Sequence, residues 1–377
     1  DNKIVSTDLK EFNKKSADLI LNNISNFLKV TKQSENYFGI AEGPFKYKKV
    51  EGLFDKKIKD IDEVDITEKG INAALENAKK ASGTFQSSVG KTRIITSKGI
   101  DVEEDHSSLY FSLKALVSKE ASGHRTASAR TLSKFNVEKE SRIAGEFAKL
   151  SCGPKQGPKG KFDIILSPLS AASILGNLGD ASSMFSVEAG LSFLAGKLNK
   201  NLGNFNLTDD GTLKGGMGSS SFDAEGVPTQ KTEVIKDGIL KTYLHNTSTA
   251  KKHNTKTTAN AGLVAPDSSN IILEGKTGNP FDSKKGIYIT NTCYTRFQNY
   301  ATGDFSTIPR DGIFLVENGE ITKPIKNIRI SDNILNMLKN IDVFAKEKEY
   351  ITSWEADSPY VSSNVLIRNV NVTKPTI

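Results

Sequence analysis

The sequence predicts an α+β protein of two domains, mixed helix and sheet first and mostly antiparallel sheet later. Three observations carry this. Early in the chain, Leu9, Phe12, Leu19, Ile20, Ile24 and Leu28 recur near helical spacing, whereas from Gly83 onward most runs alternate with period two. Two dipeptides, Asp237-Gly238 and Asn318-Gly319, each join a pair of alternating runs and supply the positive φ that a tight hairpin needs. Between the two regimes lies CGPKQGPKGK, Cys152 to Lys161, made of Gly, Pro and Lys without apolar residues. That composition divides the chain into an N-terminal domain at 1–152, a linker at 153–161 and a C-terminal domain at 162–377.

Taken in order, NKIVSTDL reads as a strand, and Ser6 or Thr7 as the cap of a helix running through "SADLILNNISNFLKV". A second capped helix is expected at TEKGINAALENAKKA. TRIITSKGIDVEED and SSLYFSLKALVSKE alternate, turning at Ser97-Lys98-Gly99, and GHRTASARTLSK adds another strand. NVEKESRIAGEFAKL returns to helix, capped by Asn136 with acids in its first turn. After the linker come a buried strand, Phe162–Leu166, and a small, apolar helix, ASILGNLGDA (Ala172–Ala181), which carries no group able to do chemistry. The two hairpins follow, then one late helix in SDNILNMLKNIDVFAKE and a closing strand in SSNVLIRNVNV.

Composition bounds the function. A chain of 377 residues can bury a sizeable core without staples. No apolar run approaches the ~18 residues of a membrane span, and no signal-peptide pattern opens the chain, so a cytoplasmic protein without a membrane partner is expected. The missing initiator Met leads us to expect truncation ahead of Asp1. Cys152 and Cys293 lie far apart, and no disulfide is expected in a reducing compartment. The net charge of +7 is carried mostly by Lys spread along helices and turns. Nucleic-acid readers favour Arg for bidentate contacts, so a nucleic-acid partner is not expected.

Several suggestive motifs fail on physical grounds. SSVGKT (Ser87–Thr92) resembles the tail of a phosphate-binding loop, but a strand follows where a helix N-terminus would have to hold the phosphates; we read it as a turn. In DVEEDH (Asp101–His106) the acids alternate between strand faces and do not converge on a metal. His245 and His253 bracket NTSTAKK and read as exposed surface residues rather than ligands. No Gly-x-Ser-x-Gly elbow and no base–nucleophile pair is found.

One stretch is far more specific: GGMGSSSFDAEGVPTQKTEVIKDGILKTYLHNTSTAKK, followed downstream by SSNIILEG and by NYATGDFS. In this order these motifs resemble the TldD/PmbA family, once called modulators of DNA gyrase, from YKKVEGLFDKKI to the last strand. The resemblance implies a mixed α/β N-terminal domain and a C-terminal domain of large, curved, mostly antiparallel sheet. It also implies subunits that pair around a central cavity and act on short or unfolded peptides. In the zinc-bearing branch the helix after FDIILSP carries His-Glu-x-x-x-His, and a late Cys is the third ligand. Two imidazoles and a thiolate hold zinc with an open position, and the Glu takes a proton from the bound water.

Laid on this chain, the first His falls at Gly176, the Glu at Asn177, the second His at Ala181 and the Cys at about Ser353. None of these residues can ligate zinc, so the resemblance is to the PmbA (TldE) branch. It implies no cofactor in this chain, with zinc in a homologous partner and unstructured peptides as substrates. The alternative is a stand-alone homodimeric peptide-binding scaffold. Phe222, Asp223, Glu225, Gly226, Gln230 and Asp304 read as structural loop residues, with Asp223 and Glu225 tying down loop N–H groups; direct peptide contact is the competing role.

Overall fold

The computed structural model describes residues 2–35 and 37–375, so Asp1 and residues 376–377 of the expected domains lie outside it. The first helix, α1 (Lys14–Val30), is capped by Asn13, whose side chain accepts the Ser16 N–H at 2.9 Å. This corrects the expected cap at Ser6 or Thr7, and residues 2–10 form no strand. The apolar set is split by the helix: Ile20, Ile24 and Leu28 are half-buried on one stripe, while Phe12 and Leu19 face outward.

Helix α2 (Glu63–Leu75) begins earlier than expected because Asp62 is the better cap, accepting from both Val64 and Asp65 N–H. Its expected tail, Lys80-Ala81, instead opens strand β1 (Lys80–Ile95). Strands β2 (Asp101–Ser118) and β3 (Ala121–Ala129) complete an antiparallel sheet in the order β1-β2-β3. SSVGKT is therefore mid-strand, not a turn, with Ser87 opposite Leu109 and Thr92 opposite Glu104. Helix α3 (Val137–Leu150), capped by Asn136 as expected, packs with α2 on the face carrying Phe111, Leu113 and Ala115. A Cβ on Gly145 would lie 2.5 Å from the Ala74 carbonyl oxygen, so glycine lets the two helices touch.

The Gly/Pro/Lys connection is itself pinned: β4 (Lys155–Gln156) pairs in parallel with a strand near residue 325. Then come β5 (Gly160–Leu166) and three short helices, α4 (Pro168–Leu175), α5 (Leu178–Ser182) and α6 (Met184–Glu188). Strands β6 (Phe205–Asp210), β7 (Lys231–Lys236) and β8 (Ile239–Leu240) precede α7 (Thr247–Lys252), β9 (Ile271–Gly275), β10 (Lys285–Asn299) and β11 (Asp304–Glu317). β12 (Glu320–Lys326) and β13 (Arg329–Asn333) lead to α8 (Ile334–Lys339), and β14 (Ile341–Phe344), β15 (Glu349–Ser353), β16 (Ala356–Ser362) and β17 (Val365–Thr373) finish the described chain. Both hairpins turn where expected, with Asp237 and Gly238, and Asn318 and Gly319, all at positive φ. The single late helix is corrected to α8 plus β14, because Ile341 and Phe344 pack into the core as a strand against β17.

These strands form the large, curved, mostly antiparallel sheet system that was expected. β10, β5, β17, β13 and β11 pair in sequence, and β10 also pairs with β11, so the five strands close on themselves; only β10 and β5 run parallel. A second, six-stranded sheet runs β15-β16-β9-β6-β7-β8. Helix α4 lies between the two, fully buried, and one apolar core joins Ile164 of the barrel, Ile174 of the helix and Leu273 of the sheet. The first unit docks through buried polar contacts. Arg125 pairs with Glu140 and Glu349, both at 2.5 Å, and Ser122 donates to Asp311 at 2.7 Å. The two cysteines are free.

Candidate functional site

Helix α4 starts where β5 ends. Ser167 caps it, accepting the Ser170 N–H, and Pro168 sits in the first turn, where its missing N–H costs nothing. The helix breaks at Gly176-Asn177 and resumes as α5, so the positions that matter span a kink rather than one continuous helix. Gly176 has helical φ and ψ, yet a Cβ there would collide with the Ala172 carbonyl oxygen. Asn177 turns its amide back on the kink, donating to Ser173 O at 3.2 Å and Ile174 O at 3.1 Å. Ala181 is buried, and Gly179 next to it lets α5 approach Ser268, whose Oγ would lie 2.5 Å from an added Cβ. Ser353 ends β15 opposite Ala356, in a turn where its hydroxyl accepts the Glu355 N–H at 3.4 Å.

A zinc ion does not fit this donor set. The kink offers methyl groups, a glycine and an amide already engaged, and the turn offers a hydroxyl in place of a thiolate. Among the described residues, no three His, Cys, Asp or Glu side chains converge as a metal site.

Phe222, Asp223, Glu225, Gly226 and Gln230 lie in one loop system between β6 and β7. Asp223 is buried; Oδ1 accepts the N–H groups of Glu225 (3.0 Å) and Val227 (2.9 Å), and Oδ2 accepts that of Ala261 (3.0 Å). Burial pushes its carboxyl up to about 6 against those three bonds. Glu225 accepts the Thr247 N–H at the start of α7. Gly226 sits at φ 78°, its carbonyl accepts the Tyr47 hydroxyl at 2.7 Å, and an added Cβ would meet Ile100 at 2.6 Å. Phe222 is buried edge-on against Tyr47, and Gln230 donates to Thr232 at 3.3 Å. Asp304 is elsewhere, exposed at the start of β11. Hydrogen bonds from Asn333 and Thr302 hold its carboxyl below the usual range.

Sequence reasoning missed the clamps on the preceding glycine-rich loop. Arg130, at the end of β3, donates to the carbonyls of Gly216, Met217, Ser219 and Ser107. Glu104, from the acidic strand, accepts the Ser221 N–H at 3.0 Å as well as its hydroxyl. Its neighbours Asp101, Glu103 and Asp105 face the other way and pair with Arg93 and Lys91. The alternation that spreads these acids also aims Glu104 alone at the loop. A buried carboxyl on β6, Asp209, accepts from Asn260 and Ser269 N–H, both at 2.6 Å, and burial pushes it up to about 7. His245 corrects an expectation, for it is buried beneath α7, and burial lowers it to about 4. His253, 6.0 Å away ring to ring, bonds Glu188 instead. Both rings are used within the fold.

Two family models match the chain. Residues 55–151 match the PmbA/TldA metallopeptidase central domain, and residues 159–374 match the C-terminal domain of the same family. An uncharacterized protein of Methanocaldococcus jannaschii is 34% identical over 311 residues, covering 78% of this chain and 73% of that one. A metalloprotease PmbA homolog of Haemophilus influenzae is 31% identical over 195 residues, 50% of this chain and 42% of its own length. A crystal structure described as a modulator of a DNA gyrase, from Thermotoga maritima, superposes with a TM-score of 0.85 at 25% identity, over 97% of this chain and 85% of that one. TldE from Thermococcus kodakarensis shares the fold, with a TM-score of 0.82 at 21% identity over 98% and 86% of the two chains. Among the described residues, no helix is long and apolar enough to cross a membrane.

Proposed function

The chain belongs to the PmbA/TldD family of metallopeptidases, and from that premise we propose that it is a non-catalytic, TldE-like subunit of a heteromeric peptidase. Its partner is a homologue that carries the His-Glu-x-x-x-His helix and the late Cys, and the pair acts on short or unfolded peptides. The observation that carries this reading is the α4–α5 kink. Gly176, Asn177 and Ala181 present no ligand there, and the Ala172 carbonyl occupies the space a side chain at 176 would need. Ser353 leaves the third place without a thiolate. A subunit built this way contributes by assembly, ordering its partner's site and closing a cavity that admits extended chains and rejects folded ones.

The test is reconstitution. The purified chain alone should bind far less than one zinc per chain after dialysis and leave unstructured peptides intact. Mixed with its zinc-bearing homologue, it should give cleavage that a chelator stops. Replacing the glutamate of the partner's motif should abolish that cleavage, whereas Asn177→Ala here should leave it unchanged. Chelator-sensitive cleavage by this chain alone, free of the homologue, overturns the assignment.

A further inference from the structure

The turn that carries Ser353 also carries the chain's single tryptophan, and it is not buried: Trp354 is 61% exposed. Tryptophan is highly buried on average, so its place at a turn tip calls for a reason. It stands edge-on to Tyr294, 6.2 Å between ring centroids, and Tyr294 is itself 53% exposed. Tyr294 occupies a left-handed conformation, φ 58°, in a bulge of β10, a costly state for an aromatic residue. Glu355 maintains it from beneath. Its carboxylate, 4% exposed, accepts the N–H groups of Tyr294 (2.8 Å) and Thr295 (3.2 Å). The fold therefore spends a buried charge on presenting two aromatic rings to solvent.

Two guanidinium groups attend the same ring, Arg296 at 5.7 Å and Arg310 at 5.9 Å from its centroid. Arg296 donates to Thr295 O and lies 3.9 Å from Glu355, whereas the Arg310 guanidinium has no hydrogen bond or ion pair among the described residues. Arg310 also lines a cleft of about 390 Å³ between the first unit and the barrel, together with Lys114, Lys119, Lys326, Glu120 and Asp311. Lys114 is held by Asp311 at 2.7 Å and Lys326 by Glu120, which leaves Lys119 and Arg310 without a carboxylate partner. Exposed Trp, Tyr and Arg are the residues that dominate binding energy at interfaces. Here they are continuous with a cleft whose unpaired charges are all positive.

We propose that Tyr294, Trp354, Arg296 and Arg310 form a docking site for an acidic peptide segment, whose carboxylate side chains engage Arg310 and whose neighbouring side chain stacks on the two rings. This deepens the proposed function, resting on its view that the chain handles extended peptides, and it places a peptide contact beside Ser353 that needs no metal. Trp354 reports on its own site, because no other tryptophan contributes to the emission. Titration of the chain with a short acidic peptide, acetylated and amidated at its ends, should shift that emission to the blue and saturate. The isosteric peptide with Asn and Gln in place of Asp and Glu should bind at least tenfold more weakly, and Arg310→Gln should reduce affinity for the acidic peptide about tenfold with an unchanged circular dichroism spectrum. Tyr294→Gly relieves the strained φ and removes the ring, so binding should fall while melting does not.

Equal affinity for the acidic and neutral peptides, or no effect of Arg310→Gln, overturns the proposal. If a neutral peptide binds only when its C-terminal carboxylate is free, the acidic-segment occupant is wrong. Cleavage that is restored by the zinc-bearing homologue while the acidic peptide fails to bind leaves the subunit assignment standing and removes only this site.

Discussion

Replacing Asp209 with asparagine should make the protein more stable at neutral pH, by an amount that grows with pH. The carboxyl is buried, the residue 1% exposed, and it accepts from the Asn260 amide and the Ser269 N–H. Burial, reinforced by the adjacent Asp210, raises it from 3.8 to about 7. The native state therefore holds a proton that the unfolded state has lost between about pH 4 and pH 7, and stability must fall as pH rises through that window. About three pH units at ~1.4 kcal/mol each give a penalty of roughly 4 kcal/mol, fully developed above pH 7 and absent below pH 4. Asparagine at 209 has nearly the same shape and cannot ionise, and its oxygen can keep the Ser269 N–H as a donor. Urea denaturation of wild type and Asp209→Asn at pH 4, 5, 6, 7 and 8 gives the difference directly, with the other carboxylates cancelling. The variant should gain on the wild type by roughly 4 kcal/mol across the series, most of it between pH 5 and 7. A difference that stays flat with pH would show that Asp209 ionises normally inside the fold and would refute the reasoning.

Asp223→Ala removes the acceptor for three N–H groups and should cost about 3 kcal/mol, read as a lower melting temperature; lost peptide binding with unchanged melting would instead mark Asp223 as a ligand contact. Arg130→Met removes the donor to the Met217 and Ser219 carbonyls and leaves Gly216 O with the Ser219 N–H alone, so the glycine-rich loop should become a site of limited proteolysis, with cleavage after Lys214 rising at least tenfold. Gly226→Ala sets a methyl group 2.6 Å from Ile100 at a φ of 78° and should destabilise by about 1–3 kcal/mol in a chemical melt.

What could be read from the sequence was what is decided locally. Asp237-Gly238 and Asn318-Gly319 set their own turns, Asn136 caps its own helix, and the alternation of 111–115 survives because that face of β2 lies on α2 and α3. Boundaries failed where two local solutions competed. Asn13 displaced Ser6 and Thr7, Asp62 started α2 ahead of TEKG, and Ile341–Phe344 became a strand only because β17 was there to receive it. His245 could not be placed from its polar neighbours, since its burial depends on packing beneath α7. At the candidate site, the identities of Gly176, Asn177, Ala181 and Ser353 are read directly, and their placement at ligand positions rests on the family resemblance. The kink, the clamps of Arg130 and Glu104, and the approach of Trp354 to Tyr294 were not legible, because each joins residues remote in sequence.

The closure of β10, β5, β17, β13 and β11 into a ring has a consequence for how the protein is made. β5 leaves the ribosome well before its pairing partner β17, with Gly160 meeting Val372. Until then β5 and β13 each carry an edge with no strand to cover it, and the long loop closure predicts slow completion. Any nascent chain stopped short of residue 365 exposes two sticky strands around a half-built core. Such a chain is a natural client for a holding chaperone, and a ribosome stalled between β13 and β17 yields an aggregating product rather than a slightly shorter protein.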